Sequence, residues 1–205
     1  MKKVSSKIIT RVLLYIRILE NLAKEKRFLI SSGELSQITG LTDVQIRKDI
    51  SNFGKVGTPR IGYKTLELKN TLEDFVLQKN IVRMALFGAG NLGTAIMKYP
   101  GFQTDKIRLV AAFDKAKNRI GRIINGVKVY SIERAPDIIK KTRTKIGIIA
   151  VPASGSQNVA DIMVMSGLKG IINFSPKSIS VPKKIPVKNI DFSIEILSLF
   201  CNVYV

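Results

Sequence analysis

The sequence predicts an α/β protein in which a mostly helical N-terminal domain precedes a doubly wound parallel sheet and a short apolar tail. Three observations predict it. Residues 81 to 97, IVRMALFGAGNLGTAIM, pass from an apolar strand through a glycine-rich turn into a helical pattern. From there to about residue 190, strand-like runs and helical patterns alternate. Before residue 80 the apolar side chains recur at helical spacing in three segments, followed by a basic, glycine-containing turn.

Composition sets bounds on the function. At 205 residues and 45% apolar content, the chain can form one modest domain and a smaller one, and it is not disordered. The single cysteine, Cys201, excludes an internal disulfide framework and a cysteine zinc finger. The lack of histidine removes the commonest general base and metal ligand, so neither a metal site nor proton-transfer chemistry is expected. No apolar run approaches the roughly 18 residues that cross a bilayer, and Lys7 and Arg11 interrupt any signal-peptide core; a cytoplasmic protein is expected. The net charge of +19 favours a polyanionic partner, nucleic acid ahead of an anionic membrane. Residues 1–80 carry 15 basic and 8 acidic side chains and the remainder 19 and 7, so charge alone does not locate the binding face.

In the first domain, Ile8, Ile9, Val12, Leu13, Ile16, Leu19, Leu22 and Ala23 make one face of a long helix between Ser5 and Phe28, with Lys7, Arg11 and Arg17 off the buried stripe. Ser31 and Glu34 have capping-box spacing, and the short helix through Leu35 and Ile38 ends at Gly40. Thr42 and Gln45 repeat that spacing and open a third helix to about Asn52. Ile46, Ile50 and Phe53 share its core face, which turns Val44, Lys48, Ser51 and Asn52 outward with Gln45 and Arg47 on the flanks. This arrangement suits a recognition helix, because Arg and Lys reach guanine edges or phosphates and Gln or Asn pairs with adenine; a solvated charged face would look the same. Residues 54–65, GKVGTPRIGYKT, predict a hairpin carrying Lys55, Arg60 and Lys64. Helix-turn-helix plus basic hairpin makes a winged helix, whose wing meets the DNA backbone or minor groove. A connecting helix from Leu66 to Gln78 follows, and the domain boundary falls near Asn80.

In the second domain, the strand from Val82 to Phe87 ends in Gly88-Ala89-Gly90-Asn91-Leu92-Gly93. Gly88 serves the turn, Gly90 lets backbone approach a pyrophosphate, and Gly93 lets helix pack on strand. The phosphates would sit at the helix N-terminus. The next strand, Ile107 to Phe113, ends at Asp114, about 20 residues past the last glycine, where a carboxylate meets the ribose hydroxyls. The order matches a Rossmann-like dinucleotide site. Further on come short β segments around Asn125-Gly126, a helix from Pro136 to Lys141 and a buried strand from Lys145 to Val151. That strand leads into Pro152-Ala153-Ser154-Gly155-Ser156, small residues where open sheets bind ligands. A helix from Gln157 to Gly167 and strands at Ile171-Ile172 and Val187 to Ile190 complete the sheet. The tail, residues 191–205, is apolar on more than one side and must pack on its own domain or into a second subunit.

Taken together, these motifs resemble the Rex family of redox-sensing transcriptional repressors over nearly the whole chain. The resemblance is carried by Gln45-Ile46-Arg47-Lys48-Asp49-Ile50-Ser51 with Phe53-Gly54, Gly62-Tyr63, Phe87 through Gly93, Tyr99-Pro100-Gly101-Phe102, Ala112-Phe113-Asp114, Val151-Pro152-Ala153, Gly170 to Phe174 and Asn189-Ile190-Asp191. It implies a homodimer that binds a palindromic operator and releases it on binding NADH, with NAD as the competing cofactor, and a C-terminal helix swapped between subunits. The implied parts are a DNA-binding domain over 1–80, a Rossmann NAD(H) domain over 81–190 and a dimerisation helix over 191–205. Residues 88–93, Tyr99, Asp114, Val151 and Pro152 would hold the nucleotide; Arg17, Tyr99 and Asp191 would form the switch. The chain departs from the family pattern at Thr58-Pro59-Arg60 in the wing, at Ala116 and Lys117, where an acid and a proline are common, and at Ser154. Lys115, Lys117 and Arg119 weaken the exclusion of NADP by Asp114.

Four other functions fit parts of the sequence. A small NAD-dependent oxidoreductase would need an acid–base pair and a substrate domain that the sequence does not supply. A CoA-binding module shares the sheet, but Asp114 favours a dinucleotide. A DNA-binding homologue that has lost nucleotide sensing would look alike on paper. Membrane binding through the apolar tail ranks below these.

Overall fold

In the computed structural model, which describes residues 4–54, 56–58, 60–78 and 80–204, the chain divides into unit 1, residues 1–80, and unit 2, residues 81–205. Helix α1 (Ser6–Lys24) buries Val12, Tyr15, Ile16, Leu19 and Leu22. Tyr15, three residues after Val12, therefore belongs to the stripe that the sequence assigned partly to Leu13, which is 44% exposed. The helix stops short of Phe28, because Lys26 takes a left-handed φ of 60° and the Arg27 N–H turns back to the Leu22 carbonyl. After strand β1 (Leu29–Ile30), α2 (Ser32–Thr39) starts at a complete capping box between Ser31 and Glu34 and ends at Gly40. In α3 (Asp43–Ser51) the Thr42 hydroxyl accepts the Gln45 N–H, but the Gln45 amide points to Asp49, so the second predicted box is half formed.

The predicted hairpin over 54–65 is smaller than expected. Among its described residues it reduces to a Thr58–Gly62 bridge closing a loop with Arg60 at φ 68°. Strand β2 (Tyr63–Lys64) pairs with β1, and the Thr65 N–H continues that pairing to Phe28. Lys64 therefore lies in β2 and caps α4 (Thr65–Leu77), outside the wing loop.

One buried group that the sequence reading missed ties this unit together. The Asp49 carboxylate is fully buried and takes hydrogen bonds from Arg11 Nε (2.6 Å), Arg11 Nη2 (2.7 Å), the Tyr15 hydroxyl (2.9 Å) and the Gln45 amide (2.8 Å). Arg11 is thus a core partner and not a solvated flank. Burial alone would raise the Asp49 carboxyl, but Arg11, Tyr15 and Gln45 together hold it below the usual carboxylate range.

Unit 2 is a seven-stranded sheet. Its strands are β3 (Val82–Phe87), β4 (Ile107–Asp114), β5 (Ile123–Ile124), β6 (Val127–Ser131), β7 (Ile146–Ile149), β8 (Gly170–Asn173) and β9 (Val187–Asn189). In the order β5-β6-β4-β3-β7-β8-β9, all are parallel except β5, so the expected doubly wound sheet is observed. Strict alternation fails twice. The β4–β6 link runs through the hairpin at Asn125-Gly126, and the β8–β9 link, residues 174–186, contains no helix.

Helix α5 (Asn91–Lys98) covers one sheet face, where Met84, Leu86, Leu109, Ala112 and Ile148 join Ile96 and Met97. Helices α6 (Ala135–Thr142) and α7 (Ser156–Met165) cover the other, against Ala85, Phe87, Ala111, Phe113 and Ile149. The near-continuous apolar runs reflect this burial on both faces. A register shift after Met84, which pairs with Leu109 while Ala85 pairs with Ala111, leaves Val110 bulged and puts Leu109 and Ala112 on one face.

Helix α8 (Phe192–Tyr204) buries none of its residues. Phe192, Ile194, Ile196, Leu197, Leu199, Phe200 and Val203 are all more than half exposed, which overturns packing on its own domain as the role of the tail. Among the described residues no helix is long and apolar enough to cross a membrane, and no acidic or cysteine cluster could hold a metal ion.

Replacing Asp49 by Asn should cost about 2 to 3 kcal/mol, less than the roughly 3–5 for a fully enclosed pair because Arg11 reaches solvent. Because the folded carboxyl is depressed, its contribution is complete above the ordinary carboxylate value of about 4. It is lost as pH falls through the lower folded value. The difference between wild type and Asp49→Asn should therefore shrink in acid, as read by amide exchange of α1 and α3 at pH 7 and pH 3.

Candidate functional site

The glycine turn between β3 and α5 leaves little freedom. Gly88 sits at φ 102°, and a Cβ there would lie 2.4 Å from the Ala150 carbonyl oxygen beyond β7. A Cβ on Gly93 would lie 1.9 Å from the Gly88 carbonyl oxygen. The protein itself requires both glycines: one for the turn, the other for seating helix on strand. Gly90 differs. Its φ is −72°, and an added Cβ would meet only Arg119 Nη1, at 3.8 Å. Gly90 is the N-cap of α5 and no side chain caps it, so the first-turn N–H groups open onto the cleft.

That cleft has a volume of about 720 Å³, within the range of small-molecule sites. Gly88, Gly90, Asn91 and Leu92 line one side, Asp114 the next strand end, and Val151 and Pro152 the end of β7. It lies between strands β4, β3 and β7, where the chain order reverses, the usual ligand position in such sheets. Three expected residues are placed differently. Ala89 turns its N–H to Asp114, and Gly93 lies buried beneath the turn. Tyr99 is 48% exposed, stacks edge-on against Phe102 with centroids 5.1 Å apart, and is not among the cleft residues. Ile132, Glu133, Asn158 and Phe174 also line the cleft. Three of them, Ile132, Glu133 and Phe174, directly follow the ends of β6 and β8, a positional signal the sequence carried unread.

Asp114 is held firmly. Its Oδ2 accepts the Ala89 N–H at 2.7 Å and Arg119 Nη1 at 3.1 Å, and its Oδ1 accepts the Ala116 N–H at 2.8 Å. Burial would raise this carboxyl, but the Ala116 and Ala89 amides and the Arg119 guanidinium hold it below the usual range, so it is ionised at neutral pH.

In unit 1, the outward face of α3 is partly committed. Arg47 pairs with Asp43 and donates to the Ser32 hydroxyl at 3.1 Å, and the Ser51 hydroxyl donates to the Lys48 carbonyl at 2.8 Å. The Gln45 amide is taken up by Asp49. Lys48 is exposed and forms no ion pair with a described residue. Arg47 and Arg60 share the walls of a second cleft with Ser31, Ser32 and Thr58 and with the apolar Val56 and Ile61. Lys64 lies 3.7 Å from Glu67, and Lys55 falls outside the described residues. Arg17 is exposed on α1; Asp191 accepts the Ser193 N–H at 2.9 Å and so caps α8.

Similarity to known proteins spans both units. A family described as "Putative DNA-binding protein N-terminus" matches residues 3–51, and one described as "CoA binding domain" matches residues 79–177. The redox-sensing transcriptional repressor Rex of Carboxydothermus hydrogenoformans is 36% identical over 201 residues, covering 98% of this chain and 97% of that protein. Its counterpart in Pelotomaculum thermopropionicum is 38% identical over 200 residues, covering 98% and 94%. Among solved structures, RSP, a Rex-family repressor, superposes with a TM-score of 0.86 at 34% identity, covering 99% of this chain and 95% of that one. RSP in complex with β-NAD+ and operator DNA gives 0.88 at 35% identity, covering 99% and 94%. With these similarities running the length of both units, the chain belongs to the Rex family of redox-sensing transcriptional repressors.

Proposed function

We propose that this chain is a redox-sensing repressor that binds palindromic operator DNA as a homodimer in the cytoplasm and leaves it when NADH binds. The observation that carries this reading is Gly90: nothing within the protein requires a glycine there, and its bare Cα faces uncapped helix N–H groups beside an ionised carboxylate. A pyrophosphate needs that approach and a ribose needs that acid. The solved relative RSP has been captured with β-NADH, and with β-NAD+ together with operator DNA. The relatives are repressors, not enzymes.

In this reading residues 1–80 bind DNA, residues 81–190 bind NADH or NAD, and residues 191–205 join the subunits. Lys48 leads the major-groove contact, with Arg47 and Ser51 beside it and Gln45 buttressing from Asp49. Arg60, with Lys55, belongs to the wing, while Lys64 contributes only general positive charge. The exposed apolar face of α8 is covered by a second copy, which a symmetric pair of recognition helices on a palindrome requires in any case. Arg17, Tyr99 and Asp191 form the switch. Asp191 caps α8, so a change in its partners reaches the helix that joins the subunits.

Operator affinity measured at one fixed salt concentration, with NADH and NAD titrated separately, tests the reading. NADH should release the site at lower concentration than NAD; a palindrome bound equally in both would leave DNA binding without sensing. Gly90→Val should fold normally yet bind NADH at least about 100-fold more weakly, since it blocks several charge-assisted hydrogen bonds. Lys48→Ala should weaken operator binding by about 1 to 3 kcal/mol while NADH binding is unchanged. Arg17→Ala should still bind NADH but uncouple it from operator release; normal release would remove Arg17 from the switch.

A further inference from the structure

The strands of unit 2 end at the nucleotide cleft, and their opposite ends carry a row of cations. Arg83 pairs in register with Arg108 across β3 and β4. The next registers, Met84 with Ile146 and Ile146 with Gly170, put Lys145 beside Arg83 and Lys169 beside Lys145. The Lys169 N–H donates to the Lys145 carbonyl at 2.7 Å. Arg108, Arg83, Lys145 and Lys169 therefore stand side by side where four adjacent strands begin, spaced by about 4.8 Å from strand to strand. All four are exposed, and none forms an ion pair with a described residue. Like charges facing one another on neighbouring strands are destabilising. The acids around the row do not relieve it. Asp161 accepts from the Gln157 amide, and neither Asp105, before β4, nor Asp137, in the first turn of α6, forms an ion pair with a described residue.

Helix α6 extends this cationic edge. Lys140 and Lys141 lie in its last turn and Arg143 is its C-cap, and Lys140, Arg143 and Lys145 line a hollow of about 450 Å³ with no acid in its wall. Cations at a helix C-terminus complement its dipole, which accounts for the α6 group and leaves the strand row without a partner. We infer that this edge is a second, sequence-independent contact surface for double-stranded DNA. Charge complementarity commits it to a polyanion, and a duplex offers one negative charge per about 1.7 Å of its axis. The row and the α6 group hold no aromatic side chain on which single-stranded bases would stack. The apolar face of α6 is buried in its own core and cannot enter a lipid interface. Because the row lies at the strand ends opposite the cleft, its grip depends on neither operator sequence nor NADH, so a repressor released from its operator stays on neighbouring DNA.

Fluorescence anisotropy of a labelled non-operator duplex, titrated with the full-length protein over a range of salt concentrations with and without NADH, tests this. The double variant Lys145→Gln, Lys169→Gln should weaken binding and flatten the slope of log affinity against log salt by about 2, at about 0.9 per lost phosphate contact. The double variant Lys145→Arg, Lys169→Arg keeps the charge and should keep the wild-type slope, which separates charge from folding. Affinity and slope unchanged in the glutamine variant would overturn the inference. So would a slope flattened in one nucleotide state only. Loss of binding to vesicles rich in anionic lipid, with duplex binding as in wild type, would also overturn it and assign the row to a membrane. A flattened slope in both states would uphold the surface even if NADH failed to release the operator, a result that counts against the sensor reading alone.

Discussion

The close approach of α5 to β3 is the constraint on which the nucleotide cleft depends. Gly93 stands so near the Gly88 carbonyl that any side chain would separate helix from strand, and Gly88 itself is too near the Ala150 carbonyl to carry one. These two contacts lock the end of β3, the start of α5 and the end of β7 into one corner. Because the corner is rigid, the Ala89 N–H points at Asp114 and the first-turn N–H groups of α5 point at the cleft. A ligand that binds there meets first-turn donors already aimed, which lowers the ordering cost of binding.

Two buried carboxylates play parallel parts in the two units. Asp49 fastens α3 to α1 through Arg11 and Tyr15, so the face carrying Lys48 is fixed by packing and not by helix propensity alone. Asp114 fastens the turn after β4 to the glycine corner through Ala116, Ala89 and Arg119. Each carboxylate is ionised and well supplied with donors, the condition under which burial of a charge is tolerated. Helix α8 is the opposite case, an apolar surface left uncovered by its own chain. Under the proposed homodimer a second copy covers it.

Much of this was legible in the sequence because it is local. Glycine spacing, the acid at the end of β4, the Ser31–Glu34 box and the Gly40 stop each depend on a few neighbouring residues, and each is present in the structure. What escaped depends on distant partners. Asp49 had no structural role assigned beyond its place in the family motif, since nothing near it announces Arg11, 38 positions earlier. β2 read as half of a hairpin because its partner, β1, precedes two helices. The fold-back of Arg119 onto Asp114 was hidden by a turn whose shape only the backbone amides determine, and the bulge at Val110 by an apolar run that looks uniform.

The central claim is that nucleotide and operator compete through one conformational equilibrium, and such coupling must be reciprocal. The direct test is NADH affinity measured at one salt concentration with and without saturating operator DNA. The account predicts that operator weakens NADH by the same factor by which NADH weakens operator, a factor between about 5 and 150 for typical coupling. An NADH affinity indifferent to operator would contradict it and leave the two units as independent binding modules.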